Sequence, residues 1–144
     1  MKYLISITIA VFYLLSFNAV AANDGYLCTA EQAIGFSDKE GKWDSIEFDV
    51  SEEQFILREL KDGERSLYNK TITHGMFVVG SSWITQTCMG GRVENSLYCE
   101  SDDNRLLFSP ISGLYTETRL GDYWVAGEFT EFPPKVIRGK CTKI

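Results

Sequence analysis

The chain has 144 residues, a length that suits one domain. A composition of 44% hydrophobic and 13% aromatic residues excludes a disordered chain, and only one long apolar run is present, which excludes a polytopic membrane protein. The 14 lysines and arginines face 20 acids, and the resulting formal net charge of −6 excludes a binder of nucleic-acid backbones.

Met1-Lys2 precede an uncharged run from Tyr3 to Ala22 that ends in the small residues Ala19-Val20-Ala21-Ala22. One positive charge, an apolar stretch and a small-residue end make the pattern of a secretory signal with its peptidase site. The apolar-dominated part, Tyr3 to Phe17, is shorter than the roughly 20 residues a spanning helix needs. Asn23-Asp24 then stand where a basic stop-transfer cluster would be. Residues 1–22 are therefore predicted to be cleaved and 23–144 to form a single domain. Loss of Lys2 takes the charge from −6 to −7 over the remaining 122 residues. A periplasmic or secreted location without stable membrane insertion after cleavage is the corresponding expectation.

Period-two alternation starts at once, with Tyr26, Cys28, Ala30, Ile34 and Phe36 on one predicted strand face. Asp38 to Lys42 is a polar turn, and Trp43 to Val50 alternates again through Ile46, Phe48 and Val50, so the two segments predict a hairpin. Residues 51–62 admit two readings. Ser51 with Gln54 can cap a helix through Phe55, Leu57 and Leu60 that stops at Gly63, or the stretch is extended. The strand is preferred, because a lone ten-residue helix is marginal. Leu67 to Ile72, Met76 to Val79 and Trp83 to Cys88 are three predicted strands, interrupted at His74-Gly75 and Gly80-Ser81-Ser82. Leu97 to Glu100, Arg105 to Ser109, Leu114 to Arg119, Tyr123 to Phe129 and Lys135 to Ile144 follow, with a stop at Pro110 and a turn at Gly121-Asp122. The set predicts an all-β domain: a single small antiparallel β-barrel or β-sandwich of about eight strands, stapled by disulfides.

The four cysteines, Cys28, Cys88, Cys99 and Cys141, suit two disulfides in an oxidising space and allow three pairings. Cys88 and Cys99 flank Met89 to Ser96, whose Gly90-Gly91 and Asn95-Ser96 carry turn chemistry, so they can face each other across a hairpin. The preferred pairing joins them and leaves Cys28 with Cys141 near the two ends of the domain. No C-x-x-C knuckle occurs, so zinc is not expected.

Catalytic signals are thin. His74 is the single histidine and is assigned to a turn or the surface, and no G-x-S-x-G is present. Glu117 and Glu128 fall on adjacent predicted strands, but a half-buried strand needs such acids on its solvent face. Glu100 to Asn104 lacks the glycine of a calcium loop. No cofactor or metal is expected. Trp43, Trp83 and Trp124 are assigned to the core, while Tyr123-Trp124, as neighbours on a strand, point to opposite faces, so one of them belongs at the surface. Tyr115, Tyr123 and Trp124 are candidate binding aromatics, and Arg92 is the candidate contact at the tip of the loop closed by Cys88 and Cys99.

Ser112-Gly113-Leu114-Tyr115, followed by Tyr123-Trp124 and Ala126-Gly127, is similar to the S-G-x-x-Y … W-x-x-K-G pattern of periplasmic c-type lysozyme inhibitors. The tyrosine comes one position early, and Ala126 stands where that family has its functional lysine. The resemblance implies a small exported antiparallel β-barrel with an inhibitory role. The sequence as a whole points to a non-catalytic module that binds or inhibits another exported or envelope protein, a basic one given the negative charge. A glycan or envelope ligand and a structural or assembly role are the alternatives, no nucleic acid is expected, and catalysis is the least favoured reading.

Overall fold

A computed structural model describes residues 25–39, 42–120 and 133–144. The predicted signal, residues 1–22, and the predicted strand Tyr123 to Phe129 lie outside the described residues. Among the described residues there are nine strands: β1 (Gly25–Lys39), β2 (Lys42–Phe48), β3 (Gln54–Glu59), β4 (Ile72–Val78), β5 (Ile84–Gly90), β6 (Leu97–Glu100), β7 (Asn104–Ser109), β8 (Leu114–Arg119) and β9 (Lys135–Lys143). A four-residue helix, α1 (Asp62–Arg65), follows β3. Among the described residues no helix is long and apolar enough to cross a membrane.

The strands form one antiparallel sheet in the order β2-β1-β3-β4-β5-β6-β7-β8-β9, and β9 returns to pair with β1. The result is a closed eight-strand barrel to which β2 is an addition. Both β2 and β3 lie on the same edge of β1: residues 25–29 pair with β3 and residues 33–39 with β2. The other edge of β1 pairs with β9 from Tyr26↔Lys143 to Gly35↔Lys135. Among the described residues, one end of the barrel carries the turns after β2, β4 and β6, and the opposite end carries α1 and the turns after β5 and β7.

Alternation fills the interior as it must in a small barrel. Leu57, Leu106, Phe108 and Ile137 are fully buried, and Tyr26 on Phe108 and Phe55 on Tyr115 meet edge to face at 4.8 and 5.0 Å. Both disulfides have the preferred pairing: Cys28–Cys141 bridges β1 and β9 at the closing seam, and Cys88–Cys99 joins β5 to β6 across their hairpin.

Several expectations are corrected. Ile34 and Phe36 do not share a face with Cys28 and Ala30, because a bulge between Ala30 and Gln32 reverses the parity; Ala33 and Gly35 turn inward, and Ile34 and Phe36 are exposed. Leu67 to Thr71 is not a strand, and His74-Gly75 does not divide one: β4 runs through both. Gly75 is there for space, since a Cβ at this position would meet the Phe77 ring and the Leu60 side chain at 2.9 and 3.0 Å. Segment 51–62 holds the preferred strand, and the short helix at Asp62–Arg65 went unforeseen. Phe77 and Leu60 are buried on the outer wall, where the Arg58 guanidinium lies 3.8 Å over the Phe77 ring and forks to Glu64 at 2.8 and 2.7 Å. That hydrogen-bonded pairing holds the Glu64 carboxyl down at about 2 and pins α1 to the barrel.

Candidate functional site

The β5–β6 hairpin is where sequence reading and geometry converge. Met89, Tyr98 and Leu107 occupy facing register positions on β5, β6 and β7, in antiphase to the inward Cys88, Leu97, Cys99 and Leu106. Their side chains therefore stand together on the outer wall. The turn that follows Gly90 doubles back beside them: the Gly91 N–H donates to the Ser96 carbonyl at 2.8 Å, the Ser96 N–H donates to the Val93 carbonyl at 3.1 Å, and Asn95 takes a positive φ of 56°. Between turn and wall is a hollow of about 510 Å³ lined by Met89, Arg92, Val93, Tyr98, Leu107 and the Gly90-Gly91 backbone. Val93 is 65% exposed and Leu107 47%. Gly91 is needed for the turn, because a Cβ there would collide with the Ser96 side chain. Arg92 is exposed at the tip, as expected.

A second constellation lies at the opposite end. Glu117, 1% exposed, points into the barrel, not to solvent as a strand acid was expected to. Gln86 Nε2 donates to Glu117 Oε1 at 2.9 Å, and Arg119 donates to Glu117 Oε2 at 3.0 Å. Arg119 also lies 2.8 Å from Glu53, whose other oxygen takes Lys135 at 2.8 Å. The chain of alternating charges borders a second hollow of about 500 Å³ reached by Phe55, Met76, Thr85 and Asn104. Each Glu117 oxygen accepts a hydrogen bond, so the buried carboxylate is anchored on both sides. Glu128, its expected partner, lies outside the described residues.

No family model, curated protein or solved structure matches this chain. The similarity to lysozyme inhibitors thus rests on its short motif alone. Within that motif Ser112-Gly113 belong to the β7–β8 turn, with Gly113 at φ +68°, and Tyr115 is buried against Phe55. Burial pushes the Tyr115 hydroxyl well above the ordinary tyrosine range, and the Glu117 carboxylate acts in the same direction. Tyr115 is a core residue and not an exposed binding aromatic. Tyr123 and Trp124 lie outside the described residues.

Trp83, assigned to the core, is 74% exposed on the β4–β5 turn, since the strand starts only at Ile84 and Ser81-Ser82 keep the tryptophan outside the barrel. His74 is half-buried within β4, not on a turn; its Nδ1 is 2.8 Å from Thr73 Oγ1, and burial lowers its pKa. All four cysteines are consumed by disulfides, which leaves no thiolate for a metal. Met89 and Val93 fall in the predicted loop Met89 to Ser96, and the lining residues that sequence reading passed over are Tyr98 and Leu107. A signal did exist: apolar side chains in antiphase to the cysteines face outward, and three of them are aligned by register.

Proposed function

We propose that this chain is a binding module of an exported, oxidising compartment, and that it engages or inhibits another protein through the β5–β6 hairpin. One observation carries the reading: Arg92 and Val93 project from a turn that a disulfide closes, over an apolar hollow on an outer wall that a soluble barrel would otherwise keep polar. A contact element held rigid before binding loses little conformational entropy on association. An arginine beside aliphatic and aromatic side chains is also the composition of an interface hot spot. Two structural disulfides are consistent with an oxidising, extracellular type of environment; export through the predicted signal and residence in the periplasm or outside the cell belong to the proposal. The mature charge of −7 would draw in a partner that is basic overall.

The test is a pull-down from the native envelope fraction with the purified domain, at low and moderate salt, read by mass spectrometry. A partner held by the wild type and lost from Val93→Asp, with unchanged melting temperature, is the expected result. Equal capture by the variant removes the hairpin from consideration, and retention of glycans alone replaces the protein-binding reading by carbohydrate binding.

A further inference from the structure

Resting on the hairpin as the binding element, we infer that the hollow beneath it takes a partner segment in which an apolar side chain stands next to an acidic one. The walls set the first half of the requirement. Met89, Tyr98 and Leu107 are adjacent across three strands roughly 4.8 Å apart, and Val93 closes the row from the turn. The volume, about 510 Å³, falls within the range of roughly 300–1,000 Å³ typical of built ligand sites.

Arg92 sets the second half. It carries the one formal charge among the lining residues, and the Tyr98 hydroxyl already donates to Glu100 Oε2 at 3.3 Å. Arg58, Arg65, Arg105 and Arg119 each have a carboxylate within 3.6 Å, whereas among the described residues Arg92 forms no ion pair; Arg138 forms none either but does not line the hollow. A planar guanidinium beside apolar surface is matched by a carboxylate in two-point contact. The net negative charge of the chain does not contradict this. Asp44, Glu47, Asp49, Glu52, Asp102 and Asp103, which form no ion pair among the described residues, lie at the opposite end of the barrel, and the unpaired Asp62, on α1 at the hairpin's end, does not line the hollow, so overall attraction and local contact are separate effects. Glu94 shares the turn with Arg92 but does not line the hollow.

The probe is an array of hexapeptides that hold Leu or Phe at the centre and carry either Asp/Glu or Lys/Arg at the flanking positions, incubated with the full mature domain. Wild-type protein should retain the acidic set at least tenfold more strongly than the basic set, Arg92→Glu should invert that preference, and Leu107→Asp should weaken both. Equal retention of the two sets, a preference untouched by Arg92→Glu, or no retention of acidic peptides at all overturns the inference. Displacement of the peptides by dodecanoate but not by free glutamate overturns it in favour of a small amphiphile. In the envelope pull-down, a partner lost from Val93→Asp but kept by Arg92→Glu leaves the hairpin reading standing while this inference fails; a partner kept by both variants sinks the reading itself.

Discussion

Glu117 is buried at a cost that its partners must offset. It is a carboxylate inside a barrel, and it is tolerable only because Gln86 and Arg119 supply a donor to each oxygen. Removing it strands Gln86 Nε2 and leaves Arg119 with Glu53 alone. Glu117→Ala should therefore destabilise the domain by about 3 kcal/mol, measured by urea unfolding. The double variant Glu117→Leu with Gln86→Leu should recover most of that loss, because a fully apolar interior needs no donors. A double variant as unstable as the single would show that the polar pair itself supports the fold. At the same scale, Arg92 and Arg138 are the two arginines without a carboxylate partner among the described residues, and Arg92 carries the charge-swap test because it alone of the two lines the hollow.

The elements are ordinary strands, and what distinguishes them is how they are tied. Cys88–Cys99 closes a hairpin over a sequence separation of 11, and Cys28–Cys141 closes the seam over 113. In the chain-entropy account these constrain the unfolded state by about 2.8 and about 4.8 kcal/mol respectively. Replacing Cys28 and Cys141 by serine should thus lower stability more than replacing Cys88 and Cys99, checked by chemical unfolding of the two double variants. The functional prediction runs the other way: loss of Cys88–Cys99 should weaken partner binding far more than loss of Cys28–Cys141, because only the former holds the turn over its hollow. A short helix the sequence did not announce is secured in a comparable manner, by Arg58 gripping Glu64 from the neighbouring strand.

At the scale of the molecule the decisive feature is closure. β1 and β9 meet only because Gly139 lets them: a Cβ there would run into the Thr29 carbonyl and the Tyr115 ring. Gly139→Ala should cost about 1–3 kcal/mol through overpacking at the seam and should raise amide exchange in β1 and β9 together. Gly63→Ala, in α1 with open space around the position, is the control and should be neutral or slightly stabilising. Equal effects of the two substitutions would remove the seam argument.

Alternation and turn residues were enough to read the domain as β-rich and to place eight of the nine described strands, because those properties are local, whereas the cysteine pairing was a preference among three that barrel closure decided. Cys88 and Cys99 flank their own turn, and Phe55-Ile56-Leu57 read as a strand in spite of a helix-capping serine. Barrel as against sandwich was not legible, since it depends on the pairing of β1 with β9, whose register partners Tyr26 and Lys143 are far apart in the chain. Nor could period two see the bulge after Ala30, which sends Ile34 and Phe36 outward, or the inward turn of Glu117, whose burial depends on Gln86 from a strand 31 residues away. The hollow under Arg92 belongs to the same class: its walls come from three strands and a turn, and only their register brings Met89, Tyr98 and Leu107 side by side.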